Sequence, residues 1–193
     1  MIPITSEQDK AQLKEHALRT VGLNDLESLM ILVEVLKETN FDFPDKKNAL
    51  LFAVSNGYLE IVKYLVNRGM DITITDNIAV RWAAEHGHLD IVKYLIAQGA
   101  DIHARDEEPL RWAAARGHLE TVKYLVEQGA DIHAQKDKAL RYAVYYDGNL
   151  EVIKYLVESG ADIHADNDYV LRYAAEEIAG YLEEVLRNDR SHQ

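Results

Sequence analysis

Apolar and polar side chains alternate along this chain with a helical period, and the pattern recurs. In GHLDIVKYLIAQG, Leu89, Val92, Leu95 and Ile96 fall at helical spacing, and GYLEIVKYLVNRG, GHLETVKYLVEQG and GNLEVIKYLVESG repeat it. A second apolar stretch precedes each copy: ALLFAVSN, AVRWAAEH, PLRWAAAR and ALRYAVYYD. Gly57, Gly87, Gly117 and Gly148 are spaced 30, 30 and 31 residues apart, as are Gly69, Gly99, Gly129 and Gly160. Each copy therefore reads as two short helices. Gly99 and its equivalents stand just past the last apolar residue, where a left-handed C-terminal cap favours glycine. Asn77, Asp137 and Asp168, three residues before Val80, Leu140 and Leu171, are expected to cap the first helix. Pro109 is tolerated in that opening turn, where its missing N–H has no helical partner.

Neither helix can bury its apolar side alone, so the copies must stack into an all-α solenoid. Ala83, Ala113 and their equivalents let adjacent first helices approach closely. Trp82, Trp112, Tyr142 and Tyr173 recur at one register and are expected to fill the seam between repeats. Asp90–Lys93, Glu120–Lys123 and Glu151–Lys154 place an acid in the first turn of the second helix, three residues before a lysine. They mark a solvated outer face.

The phrase GHLETVKYLVEQGADIHA resembles the ankyrin repeat, with its Gly-His-Leu, Val-x-x-Leu-Leu and Gly-Ala-Asp motifs in order. The resemblance covers residues 49–175. It implies repeats at 49–78, 79–108, 109–138 and 139–169, a diverged N-terminal helical cap over 1–48 and a capping repeat or helix over 170–193. The family's repeat is about 33 residues long and opens its first helix with Thr-Pro-Leu-His. Here the period is 30, and Arg81, Arg111, Arg141 and Arg172 take the His position. The β-hairpin finger at each junction should accordingly be shortened. Short copies of this kind look like the ankyrin arrays of giant DNA viruses.

Towards the N-terminus, residues 6–20 and 24–39 read as two helices closed by Asn40-Phe41-Asp42-Phe43. At the other end, Tyr173, Ala174, Ile178, Leu182, Val185 and Leu186 indicate a longer helix. Its Glu176, Glu177, Glu183 and Glu184 would form the polar outer face that a terminal repeat needs.

Composition narrows the partners. A net charge of −12 argues against nucleic acid and favours a neutral or basic protein partner. The apolar run around Leu29–Val33 falls short of the ~20 residues that span a bilayer. Zero cysteines and an N-terminus without a signal pattern point to a cytoplasmic protein, in a host cytoplasm if the origin is viral. A monomer is the expected state.

Three sets of residues could carry function. His103, His133 and His164 sit in Asp-Ile-His, and stacked layers about 10 Å apart put them too far apart to share a zinc ion. The bland reading is a loop side chain tying repeats together. The resemblance adds another: the family's equivalent Asn is hydroxylated in many members by an Fe(II)-dependent enzyme, which also accepts some histidines. Leu95/Asp101/His103, Leu125/Asp131/His133 and Leu156/Asp162/His164 fit its pattern.

The arginines at 81, 111, 141 and 172 could bind anions, but ion pairing between repeats with Asp71, Asp101, Asp131 and Asp162 is the stronger expectation. The third set is the positions that vary while the frame stays constant. The resemblance places these on a concave face and on the finger tips, where the family binds proteins. They give Glu85, His86, Arg116, Tyr145, Tyr146 and Asp147 on the first helices, and Glu107, Glu108, Lys136, Lys138 and Tyr169 on the fingers. Tyr and Arg lead as hot-spot residue types. An inserted residue in RYAVYYDGN is expected to bulge or lengthen its helix and push Tyr145 and Tyr146 inward.

Motifs of catalysis are missing: no HExxH, Walker loop, GxGxxG or GxSxG occurs. No cofactor or metal is implied. The expectation is a non-catalytic protein-binding module. The alternatives are a recruiting or regulatory subunit of an enzyme, or small-ligand or metal binding along the His or Arg ladders.

Overall fold

The computed structural model describes residues 46–146 and 149–191, and they form helices without a strand. The expected helices over 6–20 and 24–39, and the closing turn at 40–43, lie outside the described residues. Helices α1 (Lys46–Ser55) and α2 (Leu59–Asn67) make the first described pair. Next come α3 (Ile74–Glu85) with α4 (Leu89–Ala97), and α5 (Ala104–Ala115) with α6 (Leu119–Glu127). Helices α7 (Ala134–Tyr145) and α8 (Leu150–Glu158) follow, then α9 (Ala165–Tyr173) and α10 (Glu176–Ser191).

One continuous core runs through the stack. Val80, Ala83 and Ala84 from α3, Leu110, Ala113 and Ala114 from α5, and Leu140 and Ala143 from α7 are fully buried. They meet Ile91, Val92 and Leu95 of α4 and the equivalent Val122, Leu125, Val152, Ile153 and Leu156. Each fully buried leucine or isoleucine contributes roughly 1.5–3 kcal/mol of transfer free energy. Neighbouring first helices, α3 to α5 to α7, pack far more extensively than neighbouring second helices. Alanines at the first-helix contacts permit this. The array therefore curves with its first helices on the inner side.

The junctions depart from a hairpin finger. Each inner helix opens with three residues of left-handed backbone: Thr75–Asn77, Arg105–Glu107, Gln135–Asp137 and Asp166–Asp168, with φ between 51° and 64°. A left-handed turn of non-glycine residues costs roughly 1–2 kcal/mol per residue, least for Asn and Asp, which supply seven of these twelve positions. Local bonds offset it. The N–H of Asn77 donates to the Thr73 carbonyl at 3.1 Å, and Asp168 N–H to that of His164 at 3.1 Å. The guanidinium six residues on then caps the turn: Arg111 Nη2 donates to the Arg105 carbonyl at 2.9 Å and Arg141 Nη2 to that of Gln135 at 2.8 Å.

This geometry corrects the expected helix caps. Asn77 Oδ1 accepts the Asp101 N–H at 3.0 Å and Asp137 Oδ1 the Asp162 N–H at 2.9 Å, so both reach the next repeat rather than their own helix. Asp168 instead accepts from His164 Nδ1 at 2.6 Å. The glycine caps do form: Gly99 has φ 94°, and Ala100 N–H returns to the Leu95 carbonyl at 3.0 Å. On the outer face Glu120–Lys123 and Glu151–Lys154 pair at 2.9 Å. Asp90, one methylene shorter, caps Ile91 N–H, while Lys93 lies over the Tyr124 ring. At the end, α9 stops at Tyr173, Ala174 is extended, and α10 buries Ile178 and Leu182 while Glu176, Glu177, Glu183 and Glu184 face solvent. No helix among the described residues is long and apolar enough to cross a membrane.

Candidate partner-binding face

The recurring aromatics do not fill the core. The buried positions of each inner helix form a stripe such as Ala79, Val80, Ala83 and Ala84, and Trp82 falls outside it. Trp82, Trp112 and Tyr142 are half-buried on the inner side, and Tyr173 is exposed. Of these, Trp112 and Tyr142 join into a lane across two repeats. Trp112 meets Tyr142 at 5.8 Å between ring centroids and Tyr146 at 5.7 Å, and Tyr142 meets Tyr146 at 5.6 Å. Tyr145 packs edge-on against Tyr146 at 4.9 Å, and Tyr169 lies 4.6 Å from Tyr173. These separations suit aromatic pairs.

Tyr145 and Tyr146 do not owe their place to the insertion. Helix α7 ends at Tyr145, in register with Ala115 and Glu85, and Tyr146 is in register with Arg116 and His86. The helix is neither bulged nor lengthened up to that point; the extra residue comes after, and Asp147 lies outside the described residues. What differs is cover. Ala115 is 2% exposed, whereas Tyr145 is 63% and Tyr146 44% exposed. Helix α9 ends in register with Tyr142, so no neighbouring inner helix shields Tyr145.

Cations line the same lane. Arg116 lies over Trp112 at 5.6 Å and pairs with Glu85 at 2.8 Å. Arg111 and Lys138 lie over Tyr142 at 6.0 and 5.3 Å, Arg141 over Tyr169 at 5.6 Å, and Arg172 over Tyr173 at 5.4 Å. The expected pairing of the arginines with Asp71, Asp101, Asp131 and Asp162 is replaced by another. Those aspartates accept the N–H two residues on, as with His133 N–H to Asp131 at 2.8 Å. Arg81 instead pairs with Glu108 at 2.7 Å and Arg141 with Asp166 at 2.7 Å, each on the next left-handed junction. Burial raises the Glu108 carboxyl, but hydrogen bonds from Arg81 and the Trp112 indole outweigh it and hold the pKa below the usual range. The Lys136 hydrogen bond and the Arg141 charge lower that of Asp166.

Of the finger residues, Glu107 leaves the accessible set: it is 5% exposed and accepts from His103 Nδ1. Asp137, in the same register, is buried alike at 4% exposed, so the turn and not side-chain length folds the carboxylate under. Glu108 is half-buried between Arg81 and Trp112, Lys136 is exposed and paired with Asp166 at 2.9 Å, and Tyr169 is half-buried under Arg141. His86 is exposed, its Nδ1 2.8 Å from the Trp82 carbonyl. His103, His133 and His164 each donate Nδ1 to the acid four residues on, with rings more than half exposed. Among the described residues no group of three His, Cys, Asp or Glu side chains could hold a metal ion.

Stacked helix pairs with a solvent-facing lane of rings and cations define a helical repeat array. The model for ankyrin repeats in three copies matches residues 16–106 and 80–167. The chain belongs to the ankyrin-repeat family, whose repeats are generally protein–protein interaction modules and typically non-catalytic. No curated protein matches it.

Proposed function

We propose that this chain captures a partner protein on the inner face of its array, as a monomer and without catalysis of its own. The observation that supports this best is the exposure of Tyr145 and Tyr146 at the end of the Trp112–Tyr142 lane. Rings already ordered by neighbours bury large area on docking at little entropic cost. Arg116, Glu85, His86, Lys138 and Tyr169, elsewhere on the inner helices and junctions, complete the surface. The resemblance to viral arrays makes a host protein the first partner to seek.

The test is affinity capture by the immobilised chain from lysate of the native or host cell. Wild type should retain a partner that Tyr145→Ala/Tyr146→Ala loses, with the melting temperature lowered by only a few degrees. A double variant that still captures the same protein would sink this reading.

A further inference from the structure

Two of the inner arginines reach a carboxylate on the next junction: Arg81 finds Glu108, and Arg141 finds Asp166. Between them, Arg111 reaches on the next junction the neutral amide of Gln135, whose Oε1 lies 3.3 Å from Arg111 Nη1, and its Nη2 donates to the Arg105 carbonyl. Gln135 stands in register with Asp166, so an amide occupies the place of the acid. The same Oε1 also accepts from Lys138 Nζ at 2.7 Å. Two cations thus converge on one neutral oxygen beside the Tyr142 ring. Arg111 Nε is buried without an acceptor, whereas Arg141 Nε donates to the Lys136 carbonyl at 3.0 Å. Neighbouring carboxylates make their hydrogen bonds elsewhere: Glu108, which also feels the Arg111 charge, with Arg81 and Trp112, and Asp106 with Gln135 Nε2 at 2.7 Å.

We infer that Arg111 and Lys138 receive an acidic side chain of a partner peptide docked on the aromatic lane. This rests on the inner face being the binding surface. A carboxylate can displace the weaker amide acceptor and bridge both cations, and charge-assisted hydrogen bonds are about twice as strong as neutral ones. The net charge of −12 does not argue against it, because much of the acid lies on the outer helices and on α10, at Glu60, Glu120, Glu151, Glu176 and Glu183. That outer charge disfavours a long nucleic-acid strand, which would also need many more cations than these. The partner sought is therefore acidic in the docking segment, opposite to the preference that whole-chain charge suggests.

The experiment uses the full chain and fluorescent peptides carrying tyrosine and proline, in three matched sets with Glu, Gln or Lys at alternate positions, and an oligothymidylate. The Glu set should bind at least tenfold more tightly than the Gln set, and lose most of that margin at about 0.5 M salt. Gln135→Glu fills the place from within, so it should weaken Glu-set binding at least tenfold while the melting temperature holds or rises. Arg111→Gln/Lys138→Gln should remove the preference for Glu. Equal binding of the Gln set, unimpaired binding by Gln135→Glu, binding of the oligothymidylate alone, or no binding in any set would overturn the inference. Equal binding of the Gln set that Tyr145→Ala/Tyr146→Ala abolishes would overturn only the acidic preference and leave the binding face standing.

Discussion

His118 Nε2 lies 2.9 Å from the carbonyl oxygen of Glu85, one repeat earlier in the chain. A carbonyl only accepts, so Nε2 carries the proton and the ring latches α6 to the end of α3. His88 does the same to the Ser55 carbonyl at 3.1 Å. The ring crosses so close to Gly87 that a Cβ there would stand 2.5 Å from His118 Nδ1. In the fourth copy Asn149 replaces the histidine and caps its own helix through Glu151 N–H at 2.8 Å.

Gly87→Ala and Gly99→Ala separate the latch from backbone strain, since both glycines have positive φ and only Gly87 has a ring above it. Gly99→Ala should cost roughly 1–2 kcal/mol, from left-handed strain alone. Gly87→Ala should cost about 2–4 kcal/mol, and His118→Ala in the same chain should return part of it. Urea unfolding of the four combinations measures the coupling. Equal losses for the two glycine variants would show that the ring does not constrain Gly87.

Burial lowers the His118 pKa below 6.5 against the smaller opposing effect of its hydrogen bond to Glu85, and the nearby His88, His86 and Arg116 charges add to the lowering. The hydrogen bond to Glu107 raises that of His103, against a smaller opposing effect of burial. A histidine titration by NMR should therefore place the two on opposite sides of 6.5. For His118 the unfolded chain binds the proton more tightly, so its contribution is complete above 6.5 and is lost as pH falls through the lowered folded value. His103 has the opposite sign: its contribution is complete below 6.5 and fades as pH rises through the raised value. His118→Gln should flatten the acid side of the stability profile, and an unchanged profile would refute the assignment.

Thr75 is a β-branched residue at φ 52°, the least tolerant side chain among the left-handed positions. It is exposed, and its carbonyl rather than its side chain accepts from Arg81. Thr75→Gly should raise unfolding free energy by about 1 kcal/mol. Thr75→Pro, locked near φ −65°, should lower it by about 3 kcal/mol or more. If glycine destabilises this site in a urea titration, the junction is not left-handed.

The two adjacent tyrosines should separate in stability. Tyr146 touches Trp112, Tyr142 and Tyr145, while Tyr145 touches Tyr146 and is the more exposed. Tyr145→Ala should shift stability by under about 0.5 kcal/mol and Tyr146→Ala by about 1 kcal/mol or slightly more. Thermal unfolding of the two single variants decides it; a larger loss for Tyr145→Ala would reverse the assignment of roles.

Much of the fold was legible without coordinates. Leu95, Leu125 and Leu156 announce buried second helices by spacing alone, and Gly99 announces its cap by position, because both depend on residues within one or two turns. The site was legible only in part. Tyr145, Tyr146 and Arg116 stood out as departures from the frame, but Trp82, Trp112 and Tyr142 were read as filling the seam between repeats. Their place one step outside the Ala-Ala stripe was a signal available in the sequence.

By itself, then, the sequence determined the repeat, the helix pairing and the buried stripe, since helical periodicity is a local property of the chain. Tertiary structure decided what happens between repeats: that Arg81 meets Glu108 while Arg111 meets Gln135, and that His118 reaches Glu85. It also decided that the junctions turn left-handed, a conformation these residues adopt only where the bonds of the turn and the adjoining repeat compensate its strain. Tyr145 and Tyr146 stand in the ordinary register of their helix. They are exposed because α9 ends too soon to cover them.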